Sequence, residues 1–469
     1  MTSNKKDVSR RDFIQVLGAL GLAAPLAGRP LSGLFSGTDP SPEGSSPLPE
    51  RSAGSAESSI LVIGAGLVGL AAGWELEEAG HEVTVLEARS RPGGRVHTIR
   101  DPFAEELYAE AGAVAFSESY TEANRYIDEL GLERAPWAQP DLRSLYYLKG
   151  RRFSVGPDQQ PDWPYPLTEE EQRLGPGGIV KKYIIEPLPS EISNPKAWNE
   201  PPLVSLDEHT LIEYMRAQGA SEAAVQLIQD MRGSAVERGS TLSAAVSSIG
   251  LYRAGAPFVL PGGNDQLPTA MAKRLSSRIQ YGVEAVALQA SEDDIEVQAR
   301  RGDHPVSLQA DRAICTVPAP VLRSIRVEPE LPEATQAALR DLPYANPGGL
   351  HQRAILGAYI TGAAADRLAH RPDAEVMEAA LGHMEKPHPQ IREFQEGGVV
   401  TAWSQDPYAL GAFSAPEPGD VTAHLQALQR PHGRIHFAGE HTTVLRASME
   451  GALRSGIRAA REVEEAAAG

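Results

Sequence analysis

Three observations predict an α/β fold organised round a dinucleotide-binding βαβ unit. The apolar run Ile60-Leu61-Val62-Ile63 is bounded by glycine, as suits a strand buried on both faces of a parallel sheet. The loop Gly64-Ala65-Gly66-Leu67-Val68-Gly69 follows at once and opens a helix over 67–79 that Gly80 ends. A second apolar run, Val83-Thr84-Val85-Leu86, closes on an acid, Glu87.

The chain has 469 residues, enough for two or three domains. Its net charge of -18 favours solubility and argues against nucleic-acid or anionic-membrane partners. A single cysteine, Cys315, excludes an internal disulfide and a cysteine-built zinc site. Its apolar setting, Ala313-Ile314-Cys315-Thr316-Val317, predicts a buried thiol. The twelve histidines show no metal-ligand spacing, so no metal is expected. His432, His436 and His441 cluster in sequence, but strand alternation favours structural roles.

Residues 1–27 read as a targeting segment. Lys5, Lys6, Arg10 and Arg11 form a positive region, and an apolar stretch too short to span a bilayer follows. Ser9-Arg10-Arg11-Asp12-Phe13-Ile14 resembles a twin-arginine export signal; the plainer alternative is a chance arginine pair before an amphipathic helix. Export by that route gives a periplasmic or extracellular protein with no membrane span after export. Residues 28–56, rich in Ser, Pro and Gly, read as a disordered linker.

Each part of the βαβ unit has a physical task. Gly64 and Ala65 make the turn, Gly66 lets backbone approach a pyrophosphate, and Gly69 lets helix and strand pack closely. The helix N-terminus presents amides to phosphate oxygens. Glu87, 18 residues past Gly69 (87 minus 69), can accept hydrogen bonds from ribose hydroxyls.

The next segment, Glu87-Ala88-Arg89-Ser90-Arg91-Pro92-Gly93-Gly94-Arg95-Val96, resembles the second FAD motif of the flavin amine oxidases, the monoamine, polyamine and L-amino-acid oxidases. The resemblance implies FAD, with Gly94 and Arg95 near the pyrophosphate and Ala88 and Arg89 near the adenosine. It continues through Glu110-Ala111-Gly112-Ala113, which implies Gly112 and Ala113 beside the isoalloxazine. Pro261-Gly262-Gly263-Asn264 and Val283-Glu284-Ala285-Val286 extend it, with the Val283 backbone at the adenine. It closes on Gly439-Glu440-His441-Thr442 and Ser448-Met449-Glu450-Gly451. There it implies Gly439 and Glu440 at the ribityl or phosphate region and the Ser448–Met449 helix start at the flavin's pyrimidine side. The small residues Gly451, Ala452, Ser455, Gly456 and Ala459 are expected to bring that helix close to the sheet.

The fold class is therefore α/β, a Rossmann-like FAD-binding domain with a discontinuous α+β substrate domain. The expected FAD segments are 57–120, 255–327 and 403–469; 121–254 and 328–402 are left for substrate. In the latter, Thr168-Glu169-Glu170-Glu171 reads as a capped helix start.

The same resemblance bears on chemistry. Trp403-Ser404-Gln405-Asp406-Pro407-Tyr408-Ala409-Leu410-Gly411-Ala412-Phe413 is similar to the segment that supplies an aromatic substrate wall, which implies Phe413 as wall and Trp403 beside the flavin. The alternative for both is core packing. The second wall falls on Ser448, which is not aromatic. Ala412 stands where some relatives carry a flavin-linking cysteine, so FAD is expected to be non-covalent. The run Gly112-Ala113-Val114-Ala115-Phe116 has no cation for a substrate carboxylate, which favours plain amines over L-amino acids. After Leu342-Pro343-Tyr344-Ala345-Asn346 a flavin-side lysine is expected, but Pro347-Gly348-Gly349-Leu350-His351-Gln352-Arg353 follows, and Ala354–Ile360 resembles a later strand. A few dozen residues of the substrate sheet are missing near 347 on this reading. The expected function is FAD-dependent oxidation of a primary or secondary amine by oxygen, giving imine or aldehyde and hydrogen peroxide. The alternatives are an L-amino-acid oxidase, or a FAD-binding protein that has lost amine oxidation. The partners are a small-molecule amine and oxygen; a homodimer is compatible with the sequence but not specified by it.

Overall fold

A computed structural model describes residues 57–468, apart from 104–106, 138–142, 157–158, 160, 194–196, 233–237, 253–255, 276–277, 343, 346–356, 359 and 361. The targeting segment, the linker, the 346–353 junction and most of the strand expected over 354–360 lie outside the described residues.

The βαβ unit forms as the sequence predicts. Strand β1 (Ser59–Ile63) runs into helix α1 (Leu67–Glu78), and β2 (Glu82–Glu87) returns parallel to β1. Strands β3 (Ile279–Tyr281), β4 (Arg312–Cys315) and β5 (Ile435–Phe437) complete a five-stranded sheet in the order β3-β2-β1-β4-β5. Every pairing in it is parallel. The sheet thus draws strands from three widely separated stretches of sequence.

The alternation of β1 explains its unbroken apolar composition. Ile60 and Val62 enter a core shared with α1 and the last helix, α2 (Met449–Ala468). Leu61 and Ile63 point the other way, into a core shared with Leu288, Val297 and Leu339. A strand buried on both faces has no position where a polar side chain is free to reach water. Cys315 takes the second face of β4 and is 2% exposed, which pushes its thiol pKa up to about 12.

A second, four-stranded sheet packs on that side. It comprises Val283–Ala290, Ile295–Arg301, His304–Ala310 and Arg326–Glu328. Residues 148–228 contribute a separate core around Trp163, Ile179, Ile184 and Met215. There the start of helix Glu169–Val180 carries the expected cap: Thr168 Oγ1 accepts from Glu171 N, and the Glu171 carboxylate accepts from Thr168 N. Tyr344–Ala345 pairs antiparallel with Phe413–Ser414.

Helix α2 corrects one expectation. Its small residues bring it chiefly against α1 rather than the sheet: a Cβ on Gly456 would lie 2.3 Å from Val68 O. Its middle is held by Arg458, which donates to Phe437 O at 2.6 Å.

Candidate active site

The carboxyl ends of β1, β2, β4 and β5 meet at one edge of the sheet, where such folds bind ligands. Gly64 follows β1, Glu87 ends β2, Thr316 follows β4, and Gly439 lies two residues past β5. The glycine loop is assembled by backbone and carboxylate together. Gly64 N donates to Leu86 O at 2.7 Å, and Ala65 N donates to Glu87 Oε2 at 2.8 Å. Gly69 is required by packing, since a Cβ there would sit 1.9 Å from Gly64 O. Gly66 is different. Its φ of −73° suits any residue, and a Cβ there would meet nothing within 4 Å. No side chain caps the helix that starts behind it. A glycine demanded by neither conformation nor protein packing leaves room for something laid on the loop.

The second motif folds back alongside. Gly93 N donates to Ala65 O at 2.8 Å, and Gly66 and Gly93 form a parallel bridge. Glu87 Oε1 also accepts from Arg89 N at 2.8 Å, so two of its four acceptor positions remain for a ligand. Burial raises the Glu87 pKa, against the opposing hydrogen bonds from Arg89 and Ala65. Ala88 and Gly94 are half-buried beside it. Tyr281 pairs with Glu87, and Gly282 N donates to Arg89 O at 3.1 Å, which brings buried Val283 to the same end.

The remaining residues are joined through Arg95 and Glu440. Arg95 O accepts from Ala113 N at 3.3 Å and would be 1.7 Å from a Cβ on Gly112. Arg95 Nη1 donates to Ala412 O at 2.5 Å and to Glu440 Oε1 at 3.2 Å. Glu440 Oε1 also accepts from Ser414 N at 3.0 Å. Glu440 Oε2 accepts from Ser414 Oγ at 2.8 Å and Ala447 N at 3.2 Å. Burial alone would raise this carboxyl; Arg95, His441 and the Ser414 and Ala447 donors outweigh it and hold the pKa below its ordinary value. His441 stays neutral because burial, first of all, lowers its pKa to about 4.

Three expectations change here. Glu440 was expected to bond a cofactor directly, but four protein donors fill its acceptor positions. Trp403 was expected beside the flavin at the substrate wall; it is 3% exposed, its indole Nε1 donates to Ala111 O at 2.6 Å, and it packs with Ala111 and Ala409. A ring with no exposed face has none to offer a substrate. Ser448, at the second wall position, caps α2: its Oγ accepts from Gly451 N at 2.9 Å and donates to Leu445 O at 2.6 Å. Met449 behind it is buried in the α1–α2 core. Phe413 keeps a half-exposed ring next to Ala412 and Ser414.

Sequence reasoning assigned no role to Asp406, Asn264, Thr316 or Glu110. Asp406 pairs with Arg89, whose guanidinium also lies 5.2 Å from the Tyr408 ring centroid. Asn264 Nδ2 donates to Ala113 O at 3.1 Å, and Asn264 N donates to Glu110 Oε1 at 2.7 Å. Thr316 Oγ1 donates to Ile63 O at 2.6 Å and fills the space beside Gly64. Glu110 also contacts Thr98 Oγ1 at 2.9 Å.

Burial raises the Glu110 pKa from 4.5 to about 7; Asp265 adds to this, while the Asn264 and Thr98 bonds and Arg100 oppose it. The folded protein keeps a proton that the unfolded chain releases above about 4.5, so stability falls as pH rises from there through about 7. At about 1.4 kcal/mol per pKa unit the loss is on the order of 3 kcal/mol. Glu110→Gln, which mimics the protonated acid, should flatten this slope in urea denaturation at pH 5 and pH 8. An unchanged slope would remove Glu110 as its source.

The sequence profile of flavin-containing amine oxidoreductases matches residues 67–353 and 343–464. The chain belongs to this family. Membership implies a flavin cofactor, and the space over Gly66 with the free acceptor positions of Glu87 fits a dinucleotide. An L-amino-acid oxidase of Vipera ammodytes ammodytes is 27% identical over 454 residues, covering 87% of this chain and 93% of that protein. A putative L-amino-acid oxidase, YobN, of Bacillus subtilis (strain 168) is 28% identical and covers 86% and 94%. Among solved structures, cyclohexylamine oxidase from Brevibacterium oxydans IH-35A superposes with a TM-score of 0.71 at 22% identity, covering 88% of this chain and 99% of that one. A putrescine oxidase gives 0.72 at 20% identity, covering 87% and 99%. The α/β amine-oxidase fold is thereby shown.

Proposed function

We propose that this flavin amine oxidoreductase is an oxidase of plain primary or secondary amines with non-covalently held FAD. The observation that carries the amine reading is the Gly112–Phe116 run. It meets Arg95 through Ala113 N and contains no cation to receive a substrate carboxylate. The nearby guanidiniums of Arg89 and Arg95 are already paired with Asp406 and Glu440. The amino-acid reading has the names of the sequence relatives in its favour.

Non-covalent binding is supported by Ala412 in the linking position and by the burial of the chain's single cysteine in β4. Loop 64–69 and the start of α1 would receive the pyrophosphate, and Glu87 the ribose hydroxyls. When bound, the flavin would accept a hydride, that is two electrons and a proton, from the amine carbon while the nitrogen gives up a proton, and oxygen would take the two electrons with two protons to become hydrogen peroxide. The protein's contribution is placement. Phe413 offers a half-exposed aromatic face, and the Arg95–Glu440 link fixes the segment that bears it. Water then converts the imine to a carbonyl compound and ammonia or amine.

The substrate domain is read as shortened near residue 347. The two profile matches meet at 343–353. The viper alignment runs over 454 residues yet takes in 87% of 469, about 408, so about 46 of its positions face no residue of this chain. The twin-arginine segment supports export to the periplasm or beyond. A peroxide assay over a panel of amines and L-amino acids, run on cell fractions, tests these readings together. Peroxide with amines and in the exported fraction is expected. Turnover of amino acids alone would establish the alternative substrate class. Retained flavin with no turnover of any amine would mean that oxidation has been lost with the missing strands.

A further inference from the structure

Glu110 is 4% exposed and stands two residues before Gly112. Its carboxylate ties down two neighbouring segments: Oε1 accepts from Asn264 N at 2.7 Å, and Oε2 accepts from Thr98 Oγ1 at 2.9 Å. Asn264 reaches back to the same stretch, since its Nδ2 donates to Ala113 O at 3.1 Å. Glu110, Asn264 and Ala113 thus close a ring that spans Gly112. The backbone on either side of Gly112 is engaged by protein. Ala111 N donates to His97 O, Ala111 O accepts from Trp403 Nε1, and Ala113 N donates to Arg95 O. Among the described residues the Gly112 amide and carbonyl have no protein partner, which leaves them for whatever lies on the segment. The charged groups around Glu110 are Asp265, before helix Gln266–Arg274, and Arg100, after strand Thr98–Ile99. Those two are joined to each other by a pair of 2.8 Å hydrogen bonds.

We infer that Glu110 is a positioning residue that links cofactor binding to proton uptake: it fixes the 111–113 segment through Asn264 and takes up a proton when a dinucleotide lies against that segment. The inference rests on the reading that FAD occupies the site. The cofactor would withdraw the segment further from water and bring phosphate charge to the same edge of the sheet. Both effects favour the neutral acid over the carboxylate. Protonation leaves the ring intact. Oε1 still accepts from Asn264 N, which cannot reverse its role, and the proton on Oε2 is received by the Thr98 hydroxyl once it turns. In the free protein burial, opposed by the Asn264 and Thr98 bonds, places the Glu110 pKa at about 7. The complex then binds more protons than the free protein, so affinity for FAD falls as pH rises through about 7.

The test follows flavin release from the full-length protein on dilution, read by the fluorescence of free FAD, at intervals from pH 6 to pH 8.5. The wild-type dissociation constant should rise about fivefold or more across that range, and by no more than about tenfold per pH unit, the limit for one linked proton. Glu110→Gln holds the neutral shape at every pH, so its dissociation constant should stay within about twofold. A purely structural role for Glu110 would instead shift affinity by one factor at all pH values. Thr98→Val keeps the acid but removes one donor to its ionised form, so the rise should begin at a higher pH than in the wild type. That variant covers the case in which Glu110→Gln folds poorly. A flat wild-type profile, parallel profiles for wild type and Glu110→Gln, or an unmoved rise in Thr98→Val would overturn the inference while leaving the FAD reading intact. A wild-type protein that holds no FAD at any pH would overturn both.

Discussion

Gly66→Ala should leave the fold nearly as stable as the wild type and reduce flavin affinity at least a hundredfold. The reason lies in what the missing methyl group would touch. In the protein alone a Cβ at Gly66 has no neighbour within 4 Å, and φ of −73° with ψ of 175° is open to alanine. Exchanging glycine for alanine at a helix N-cap costs on the order of 1 kcal/mol or less, which is about 3 °C or less in Tm for a chain this long. A phosphate hydrogen-bonded to the loop amides would occupy the very volume the methyl group takes. Gly69→Ala is the control. There the added carbon would be 1.9 Å from Gly64 O, so the loop itself must shift, and stability and flavin should be lost together. Thermal melts and flavin content of the two purified variants check this. If Gly66→Ala retains full flavin, the open space over the loop is not the pyrophosphate site.

The contrast between these glycines shows how much of the site was legible beforehand. The glycine loop, α1 and Glu87 could be read because local spacing determines them: one buried strand, one tight turn, one acid at a strand end. The twofold burial of β1 is likewise written in its unbroken apolar run. The residues that bind these pieces to one another left no such mark. Asp406 pairs with Arg89 across 317 positions, and Asn264 reaches Ala113 across 151. Trp403 could not be assigned from its type, because a large aromatic serves equally as wall or core, and only its 3% exposure decides. Ser448 was noticed for the aromatic it is not; its work as the cap of α2 depends on the turn formed by Leu445. Resemblance identified these positions but not which of them face ligand and which face protein.

Glu440→Ala should cost about 3–5 kcal/mol and yield protein that is isolated with little flavin, although this carboxylate is expected to touch no cofactor atom. Its four acceptor positions hold Ser414 N, Ser414 Oγ, Ala447 N and Arg95. Alanine strands all four donors, and Arg95 loses its carboxylate partner in a setting only partly open to water. Both the Phe413 segment and the approach to α2 then lose their common anchor. Glu440→Gln separates charge from shape. The amide can still accept from Ser414 N and Arg95 through its oxygen, and the Ser414 hydroxyl can turn to accept from the amide nitrogen. Ala447 N cannot reverse its role, so one donor faces another at a partly buried contact, at a cost of about 1 kcal/mol. The pH dependence has a definite sign. Because the folded pKa lies below 4.5, the carboxylate stabilises the protein above that value and the contribution is lost as pH falls through the folded pKa. Urea denaturation of the wild type and both variants at pH 7, with flavin content measured in parallel, checks the ranking wild type, glutamine, alanine. A Glu440→Ala variant within about 0.5 kcal/mol of wild type would show that the four contacts do not hold the site together. One with wild-type flavin content but lowered stability would confine Glu440 to the fold and exclude it from positioning the cofactor.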